Sequence, residues 1–312
     1  MPGAMNVTTV VDAERCTGCG LCLRVCPSGT LSLDQGVSKV VVSGDYCMAC
    51  GHCQAVCPAD AVHVGALDPA STGYETFSHD QAWLPHGEYD LPGLVRLMRS
   101  RRSCRNYRPD PVDPALLRDL VRIGATAPSG TNSQTWAFTV LPTRPDVEVL
   151  ATGVSEYFRG LNKMARKRWL CALLKLVGKP DLAWYRREYL NTVEKALAAW
   201  DRDQTDRLFH HAPSAIVVTT RPGASCPGED ALLASQNMLL AAHAMGLGTC
   251  LIGFAVSAMG RDAAIKARVG IPANETVHAV LAIGHPNERY QEVAGRKQLL
   301  LRAFDRAGRA EP

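Results

Sequence analysis

The first sixty residues of the chain repeat one cysteine pattern twice. In each copy three cysteines are separated by two residues, and a fourth cysteine, followed by proline, comes after three more residues, giving C-x₂-C-x₂-C-x₃-C-P. Three thiolates with this spacing can ligate three corners of an iron–sulfur cube, so the fourth ligand must come from a more distant segment. The cysteines are Cys16, Cys19, Cys22 and Cys26 in the first copy and Cys47, Cys50, Cys53 and Cys57 in the second.

The duplication supplies each missing ligand reciprocally, because in the bacterial two-cluster pattern the fourth cysteine ligates the other cluster. We therefore predict two [4Fe-4S] clusters. Structural zinc sites usually combine two separated ligand pairs, and disulfide frameworks are typical of small secreted proteins, so neither alternative fits this pattern as well. Cluster one would be ligated by Cys16, Cys19, Cys22 and Cys57, and cluster two by Cys47, Cys50, Cys53 and Cys26.

Length and composition place the chain among ordinary globular proteins. It has 312 residues, 46% of them hydrophobic, which allows two domains with their own cores. No run approaches the roughly 18 apolar residues of a membrane span, and the N-terminal residues do not resemble a signal peptide, so we expect a cytoplasmic protein without membrane contact. The formal charge of +4 falls to roughly zero when each cluster contributes about −2, which gives no support for nucleic-acid binding.

We predict three segments along the chain. Residues 1–65 would form a small ferredoxin-like two-cluster domain, and residues 66–92, rich in Pro, Gly, Ser and Thr, a linker that can still dock on the surface. Residues 93–312 would form an α+β domain in which helices flank a central sheet, with a variable helical block at 155–210. The predicted helices are Leu94–Ser100, Ala115–Ala127 and Asp230–Met245, and the predicted strands are Val37–Val42, Ala61–Val64, Trp136–Leu141, Ala215–Thr220 and Val277–Ile283.

Three segments of the second domain carry groups that could bind an organic cofactor. In Arg101–Tyr107, closely spaced arginines and a hydroxyl could clamp a phosphate, and a solvated basic face is an equal alternative. In Ala127–Trp136, a Pro-Ser-Gly turn and two amides could approach a planar heterocycle, and an ordinary helix-to-strand loop is the alternative. In Met245–Gly253, the glycines permit close backbone approach or simply cap a core helix.

In this order the three segments resemble the nitroreductase family of FMN-dependent oxidoreductases, over roughly residues 93–300. RRSCRNY is similar to the family's phosphate-binding RRS-x-R element, APSGTNSQTW to its flavin-edge loop, and DALLASQNMLLAAHAMGLGTCLIGF to its long central helix and the flavin-contacting turn after it. The resemblance implies a nitroreductase-like α+β fold, an FMN-dependent enzyme, and a homodimer with the flavins at the subunit interface.

The resemblance also implies which residues contact FMN, although it identifies no catalytic acid. The implied contacts are Arg101, Arg102, Ser103 and Arg105 around the phosphate and pyrimidine edge, Ser129, Gly130 and Asn132 near the ring, Ile252 and Gly253 over one flank, and Arg296 in VAGRKQL at the phosphate.

Fusion of a two-cluster domain to a flavin domain suits electron transfer, because clusters pass single electrons whereas FMN can gather two. We predict transfer from a low-potential donor through the clusters to FMN and on to a small nitro, quinone, activated-alkene or halogenated aromatic compound. Reduced ferredoxin is the favoured donor, since the sequence has no G-x-G-x-x-G dinucleotide motif. The alternatives are direct reduction by NAD(P)H, a carrier that delivers electrons to a protein partner, and flavin or corrin-ring processing.

Other reactive residues have less specific patterns. We expect His210 and His211 in a loop or the core, and the aromatic residues of 155–210 in helix packing rather than in a pocket lid. The basic run Arg159–Arg168 could attract an acidic ferredoxin or form a solvated face. The cysteines outside the repeat are expected to be buried thiols rather than a third metal site; they are Cys104, Cys171, Cys226 and Cys250.

Overall fold

The computed structural model describes residues 7–303. In the cysteine-rich part, two short antiparallel strand pairs are combined with two short helices, and each helix contains the third cysteine of one copy of the pattern. The strand pairs are β1 with β4 and β2 with β3. The sequence repeat is therefore also a structural repeat. The elements are β1 (Thr9–Val11), α1 (Leu21–Val25), β2 (Leu31–Asp34), β3 (Lys39–Val42), α2 (His52–Ala55) and β4 (Val62–Val64).

Glycine is required where the chain winds around the first cysteines. Gly18 lies between Cys16 and Cys19 with φ of +70°, in the left-handed region that side chains with a Cβ rarely adopt. A Cβ added at Gly18 would also collide with the carbonyl oxygen of Ser38. The backbone can therefore fold tightly around the cysteines only because this position has no side chain.

The larger part of the molecule is built around an antiparallel sheet with the strand order β5-β6-β8-β7. All seven residues of β6 are buried, and its sequence SAIVVTT places four apolar residues between hydroxyl residues at its two ends. Alternate residues of β6 point to opposite faces, so Ile216 packs with Met238 on one side and Val217 with Leu150 on the other. The strands are β5 (Trp136–Leu141), β6 (Ser214–Thr220), β7 (Gly248–Leu251) and β8 (Thr276–Gly284).

Helices cover both faces of this sheet. α4 and α9 contribute to the core with Ile216, and α5 and α10 to the core with Val217. Local sequence sets the helix starts, since α4 follows Asp113, whose carboxylate accepts the Ala115 N–H at 2.8 Å. The helices are α3 (Leu91–Ser100), α4 (Pro114–Gly124), α5 (Arg144–Ala165), α6 (Arg168–Leu176), α7 (Asp181–Glu188), α8 (Leu190–Asp203), α9 (Pro227–Ala244), α10 (Gly253–Met259) and α11 (Ala263–Arg268).

The segment that connects the two parts docks on α4. Asp119 of α4 is fully buried, and its carboxylate accepts the N–H of Glu75 at 2.9 Å, the N–H of Thr76 at 2.8 Å and the Thr76 hydroxyl at 2.7 Å. The Glu75 carboxylate in turn pairs with Arg118 at 2.6 Å and Arg122 at 2.8 Å. The middle of the predicted linker is thus fixed to the larger part of the molecule.

The predicted α+β class is confirmed, and the differences lie at short elements. Met245–Gly253, predicted as a turn, contains β7, because its backbone pairs with the edge of β8. The helix predicted over Ala115–Ala127 ends at Gly124. β1 and β2 were too short to show an alternating pattern. No helix within residues 7–303 is long and apolar enough to cross a membrane. The domain boundaries at 65 and 92 stay predictions.

Candidate cofactor sites

The eight cysteines of the repeat form two sets of four, each lining its own cavity. Each set takes three cysteines from one copy and the fourth from the other, which is the reciprocal arrangement predicted from the spacing. The sulfurs surround a space, and within residues 7–303 no group of three or more His, Cys, Asp or Glu side chains could hold a single ion. One cavity is lined by Cys16, Cys19, Cys22 and Cys57, and the other by Cys26, Cys47, Cys50 and Cys53.

Backbone N–H groups point at several of these sulfurs. Such donors favour the thiolate form, which is the form that ligates metal. Two of the three bonds involve the residue four positions after the cysteine, so the Cys-Pro turn itself supplies the donor. The bonds are Thr30 N–H to Cys26 Sγ at 3.4 Å, Ala61 N–H to Cys57 Sγ at 3.3 Å and Ala49 N–H to Cys47 Sγ at 3.4 Å.

The thiols of each set influence one another electrostatically. Burial raises the pKa of the Cys22 thiol, and neighbouring Cys57 and Cys16 raise it further. Burial likewise raises the pKa of Cys53, next to Cys26 of the other copy. Gathering thiolates in this way is costly unless a positive centre offsets their repulsion. The donor set therefore fits the cationic core of an iron–sulfur cluster, with cluster one in the first cavity and cluster two in the second.

A group of arginines lies where α3 ends. Burial lowers the pKa of the half-buried Arg101 guanidinium, and the positive charges of Arg296 and Arg102 lower it further. In the described part of the chain, these three side chains form no ion pair with a carboxylate. Like charges held together without a counterion form a strong site for an anion such as phosphate. Arg296, the least specific of the sequence assignments, is thus near enough for its charge to act on Arg101.

The RRSCR segment runs along the edge strand β7. Ser103 forms a parallel bridge with Thr249, and the Cys104 N–H donates to the Thr249 carbonyl at 2.9 Å. A Cβ at Gly248 would lie 2.8 Å from the Cys104 Cβ, so glycine lets the two segments approach. Burial raises the pKa of Cys250 in β7, and the positive charge of the exposed Arg105 partly offsets this rise, so Arg105 lies near the same strand. Two of the three cofactor-binding segments predicted from the sequence therefore form one surface.

The third segment, the loop before β5, is held by a buried carboxylate. Asp230, in the first turn of α9, accepts the Gly130 N–H at 2.8 Å and the Ser133 hydroxyl at 3.3 Å. The Ser129 hydroxyl accepts the Gln134 N–H at 3.1 Å, which closes the loop on itself. Sequence reasoning did not single out Asp230, because an acidic residue in the first turn of a helix is common for electrostatic reasons alone.

Asn132 reaches the cysteine-rich part of the chain. Its side-chain Nδ2 donates to the carbonyl oxygens of Met48 and Ala49, both at 3.0 Å. These two residues separate Cys47 from Cys50 in the second copy of the pattern. Asn132 was predicted near a flavin ring. Its amide nitrogen is engaged by the loop between Cys47 and Cys50, a contact for which the sequence carried no signal, and its place near a flavin ring stays a prediction.

The turn after β7 forms an open edge next to an aromatic group. The Ile252 side chain is buried and its N–H donates to the Val280 carbonyl at 2.8 Å, whereas Gly253 faces open space where a Cβ would lie. The next residue, Phe254, makes edge-to-face contacts with Phe158 and Tyr189 from the 155–210 block. An exposed backbone turn of this kind leaves room for a planar ring along Gly253.

A cavity of about 400 Å³ opens beside Phe254. Phe158, Phe254 and Trp200 give it aromatic walls. Its charged lining residues are Glu156, Arg159 and Asp206, each held in an ion pair, and Lys195 and Arg207, which pair with no carboxylate of residues 7–303. Aromatic walls with a few charged groups are typical of sites for small organic molecules. The aromatic residues of the 155–210 block therefore contribute both to helix packing, as Phe158–Tyr185 stacking shows, and to a cavity wall.

The remaining cysteines and histidines differ in environment. Cys104, Cys171 and Cys250 are buried, and burial raises the pKa of Cys104 to about 11. Cys226 is exposed, so its predicted burial was wrong; it precedes α9 in a surface turn. His211 lies in the turn before β6, where its Nε2 accepts the N–H of Asp206 at 3.1 Å.

Comparison with known proteins finds two known families in the chain. The profile of the nitroreductase family matches residues 98–285, and that of the 4Fe-4S dicluster domain matches residues 15–61. The 4-nitrobenzoate reductase of Nocardioides sp. is 27% identical over 213 residues, covering 62% of this chain and 81% of that protein. The NADH dehydrogenase of Thermus thermophilus is 29% identical over 196 residues, covering 60% of this chain and 84% of that protein.

Solved structures show similarity to part of this chain. A nitroreductase from Bacteroides fragilis with bound FMN is 20% identical, with a TM-score of 0.48, and the match covers 68% of this chain and 98% of that one. One from Desulfitobacterium hafniense, also with bound FMN, is 21% identical, with a TM-score of 0.48 and coverages of 66% and 97%. On the profile matches, the chain belongs to the nitroreductase family of oxidoreductases and carries a 4Fe-4S dicluster domain ahead of its nitroreductase domain.

Proposed function

We propose that this oxidoreductase passes electrons from a low-potential donor through its two [4Fe-4S] clusters to FMN and on to a small organic acceptor. The observation that carries the proposal is that one chain contains two four-cysteine cavities and a group of arginines that pairs with no carboxylate of residues 7–303, and that Asn132 joins the second cysteine loop to the loop before β5. Bound FMN would supply the exchange between single electrons and electron pairs that this pathway needs.

The residues at the arginine group fit the flavin's phosphate. Arg101, Arg102 and Arg296 would hold it through charge-assisted hydrogen bonds, with the Ser103 hydroxyl as a further donor. The open turn at Gly253 and the loop held by Asp230 would flank the ring. The protein's contribution is then to bind and orient the flavin, to place positive charge near it and to limit the access of water. The implied FMN contacts as a set remain part of the proposal.

We infer that the cavity beside Phe254 takes the acceptor. Its aromatic walls suit a flat molecule, and Lys195 and Arg207 suit one that carries negative charge. Flat nitro, quinone, activated-alkene and halogenated aromatic compounds with an acidic substituent have both features. The similarity to a 4-nitrobenzoate reductase and, over 101 residues at 32% identity, to a rat iodotyrosine deiodinase supports acceptors of this class.

The proposed donor is reduced ferredoxin or a similar one-electron carrier, because the clusters accept single electrons. The similarity to an NADH dehydrogenase favours NAD(P)H as the second candidate. The basic residues Lys163, Lys167 and Arg168 on and after α5 would attract an acidic carrier protein. We place the protein in the cytoplasm, where a reducing environment preserves thiolate ligands.

We also propose a homodimer. Large apolar side chains are exposed on α3 and α9 and near the end of the described chain, and their burial against another surface would be favourable. A second copy of the chain is the natural cover, because the implied flavin site lies beside the same elements. The exposed residues are Val95, Met98, Leu232, Leu233, Leu299, Leu300 and Leu301.

Reoxidation of the reduced protein tests this function. Anaerobic holoprotein, reduced chemically, should be reoxidised quickly by a small nitro or quinone compound, as judged from the visible flavin absorbance. A protein that is reoxidised by another protein but not by any of these compounds is a carrier, and the reductase proposal would then be wrong. Reduction by NADPH or NADH, compared with reduction by reduced ferredoxin, distinguishes the two donors.

A further inference from the structure

The contact between Asn132 and the second cysteine loop joins two segments that are 83 and 84 residues apart in sequence. One amide nitrogen donates to two successive carbonyl oxygens, those of Met48 and Ala49, each at 3.0 Å. Both hydrogens of the amide are therefore used. Because Cys47 and Cys50 flank these carbonyls, the contact fixes the backbone that wraps cluster two.

The amide is held in this orientation from its other side. Gln134 Nε2 donates to Asn132 Oδ1 at 2.9 Å, which directs the Nδ2 toward the carbonyls. Asn132 and Ala49 both have positive φ, 54° and 51°, so both partners sit at tight turns that project their groups outward. Asparagine tolerates this conformation better than most residues, which favours it at position 132.

The loop that carries Asn132 is itself anchored. Asp230 of α9 accepts hydrogen bonds from Gly130 and Ser133, on either side of Asn132. The anchor belongs to the same helix that leads into β7 and the implied flavin edge. The contact is thus a connection between the cluster two loop and a fixed part of the nitroreductase domain.

The first cysteine set is in a different position. Cys19 is exposed to solvent, whereas the cysteine loop contacted by Asn132 belongs to the second set. An exposed ligand marks the side from which an external carrier can approach. Cluster one would therefore lie on the outer side, and cluster two on the side of the flavin domain.

We propose that Asn132 is a positioning residue that docks the cluster two loop on the flavin domain, and that cluster two is the cluster that exchanges electrons with the flavin. This inference rests on the proposed function. The clusters held by the two cysteine sets would carry single electrons from a one-electron donor of the ferredoxin class, and FMN, when bound, would collect two of them for the two-electron reduction of one acceptor. Asn132 makes and breaks no covalent bond.

The test uses Asn132→Asp in anaerobic holoprotein. The carboxylate keeps the shape of the side chain and can still accept from Gln134, but it has no hydrogen to donate to the two carbonyls. Asn237→Asp is the matched control, because Asn237 is an asparagine of the same domain whose amide contacts Thr126 and not the cysteine loop. Iron, sulfide and FMN contents, hydrogen exchange of residues 47–51 and the rapid-mixing rate of cluster-to-flavin transfer are measured for both and for the parent.

We expect Asn132→Asp to keep its iron, to exchange about tenfold faster over residues 47–51, and, with FMN saturating, to pass electrons from clusters to flavin at least tenfold more slowly. The rate at which a small acceptor reoxidises the same variant's chemically reduced flavin is measured beside it, so that a change in the flavin itself is separated from a change in docking. Asn237→Asp should match the parent in every measurement. A merely structural role for Asn132 would not slow the transfer selectively.

Three results would overturn the inference. They are an unchanged transfer rate at saturating FMN, unchanged hydrogen exchange over residues 47–51, which would mean that Asn132 does not hold the cysteine loop, and loss of iron in both Asn132→Asp and Asn132→Ala, which would make it a requirement for folding of the cluster domain. Failure of the proposed function looks different, because the parent protein itself would then show no transfer from clusters to flavin.

Discussion

Replacing Arg101 by alanine should weaken flavin binding without affecting the clusters. Arg101 is half-buried beside Arg296 and Arg102, and no carboxylate of the described residues pairs with it. In the apoprotein, burial and the neighbouring positive charges both make the charged Arg101 side chain unfavourable. A bound phosphate would make the same charge favourable. The substitution should therefore affect the FMN-bound protein much more than the apoprotein.

The expected magnitude is that of one charge-assisted hydrogen bond between the guanidinium and the phosphate. A hydrogen bond to a charged group contributes about 1.5–3 kcal/mol, so Arg101→Ala should raise the Kd for FMN by roughly tenfold to 150-fold. Titration of apoprotein with FMN, followed by flavin fluorescence, measures this change. Binding by the parent should weaken as salt is raised, and binding by the variant should depend less on salt. Unfolding of the apoprotein should occur at the same or a higher temperature in the variant.

Arg202→Ala is a suitable control, since Arg202 is an exposed arginine that pairs with Asp203 at the end of α8. It should leave the Kd unchanged. If Arg101→Ala binds FMN as tightly as the parent, with the same salt dependence, the phosphate lies elsewhere and the reasoning from the arginine group is wrong. Adding Ser103→Ala should weaken binding further, although the two effects need not add because the residues share one ligand.

Three further predictions address the clusters and the linker. Anaerobically purified protein should contain about eight iron, eight acid-labile sulfide and one FMN per chain, and stoichiometric zinc without iron would contradict the cluster assignment. Cys57→Ser should damage cluster one and abolish ferredoxin-driven turnover, while chemically reduced FMN still reduces a nitro compound. If the ferredoxin-driven rate is unchanged in a variant shown to lack that cluster, the clusters are not on the path of the electrons to FMN. Burial alone would raise the pKa of Asp119, but hydrogen bonds from Thr76, Glu75 and Arg122 outweigh it and hold that pKa below its usual range. The contribution of Asp119 to stability should therefore be lost as pH falls through the lowered pKa. Asp119→Asn should lower the free energy of unfolding at neutral pH by about 1–3 kcal/mol in denaturant titration. An unchanged free energy of unfolding would mean that the linker is not docked on Asp119.

Features set by local sequence were predictable. The cysteine spacing indicated the two sets of four, because the repeat itself dictates which cysteines the chain can bring together. The buried strand Ser214–Thr220 was recognisable because its residues are apolar enough to be covered on both faces. In both cases the information lies within a few neighbouring residues.

Features set by distant contacts were not predictable in the same way. Gly248–Leu251 has the composition of a turn, and it becomes a strand because β8 offers it a free edge. Asp230 is an ordinary helix-start residue in sequence and matters because its carboxylate meets a loop 97 to 100 residues earlier. Asn132 was assigned to the flavin from its motif, and only the folded chain shows its amide directed at Met48 and Ala49.

The two attachments of the cluster domain have different strengths, and this difference has a consequence for electron transfer. The linker is fixed through a fully buried carboxylate and ion pairs of Glu75, whereas the docking at Asn132 consists of two neutral hydrogen bonds. The docked linker leaves a short connection to the cysteine-rich part, so that part stays at a high effective concentration near the flavin loop. In the proposed pathway, a weak contact would then suffice to keep the second cysteine set beside the loop before β5, while the exposed Cys19 leaves the first set open to a carrier protein.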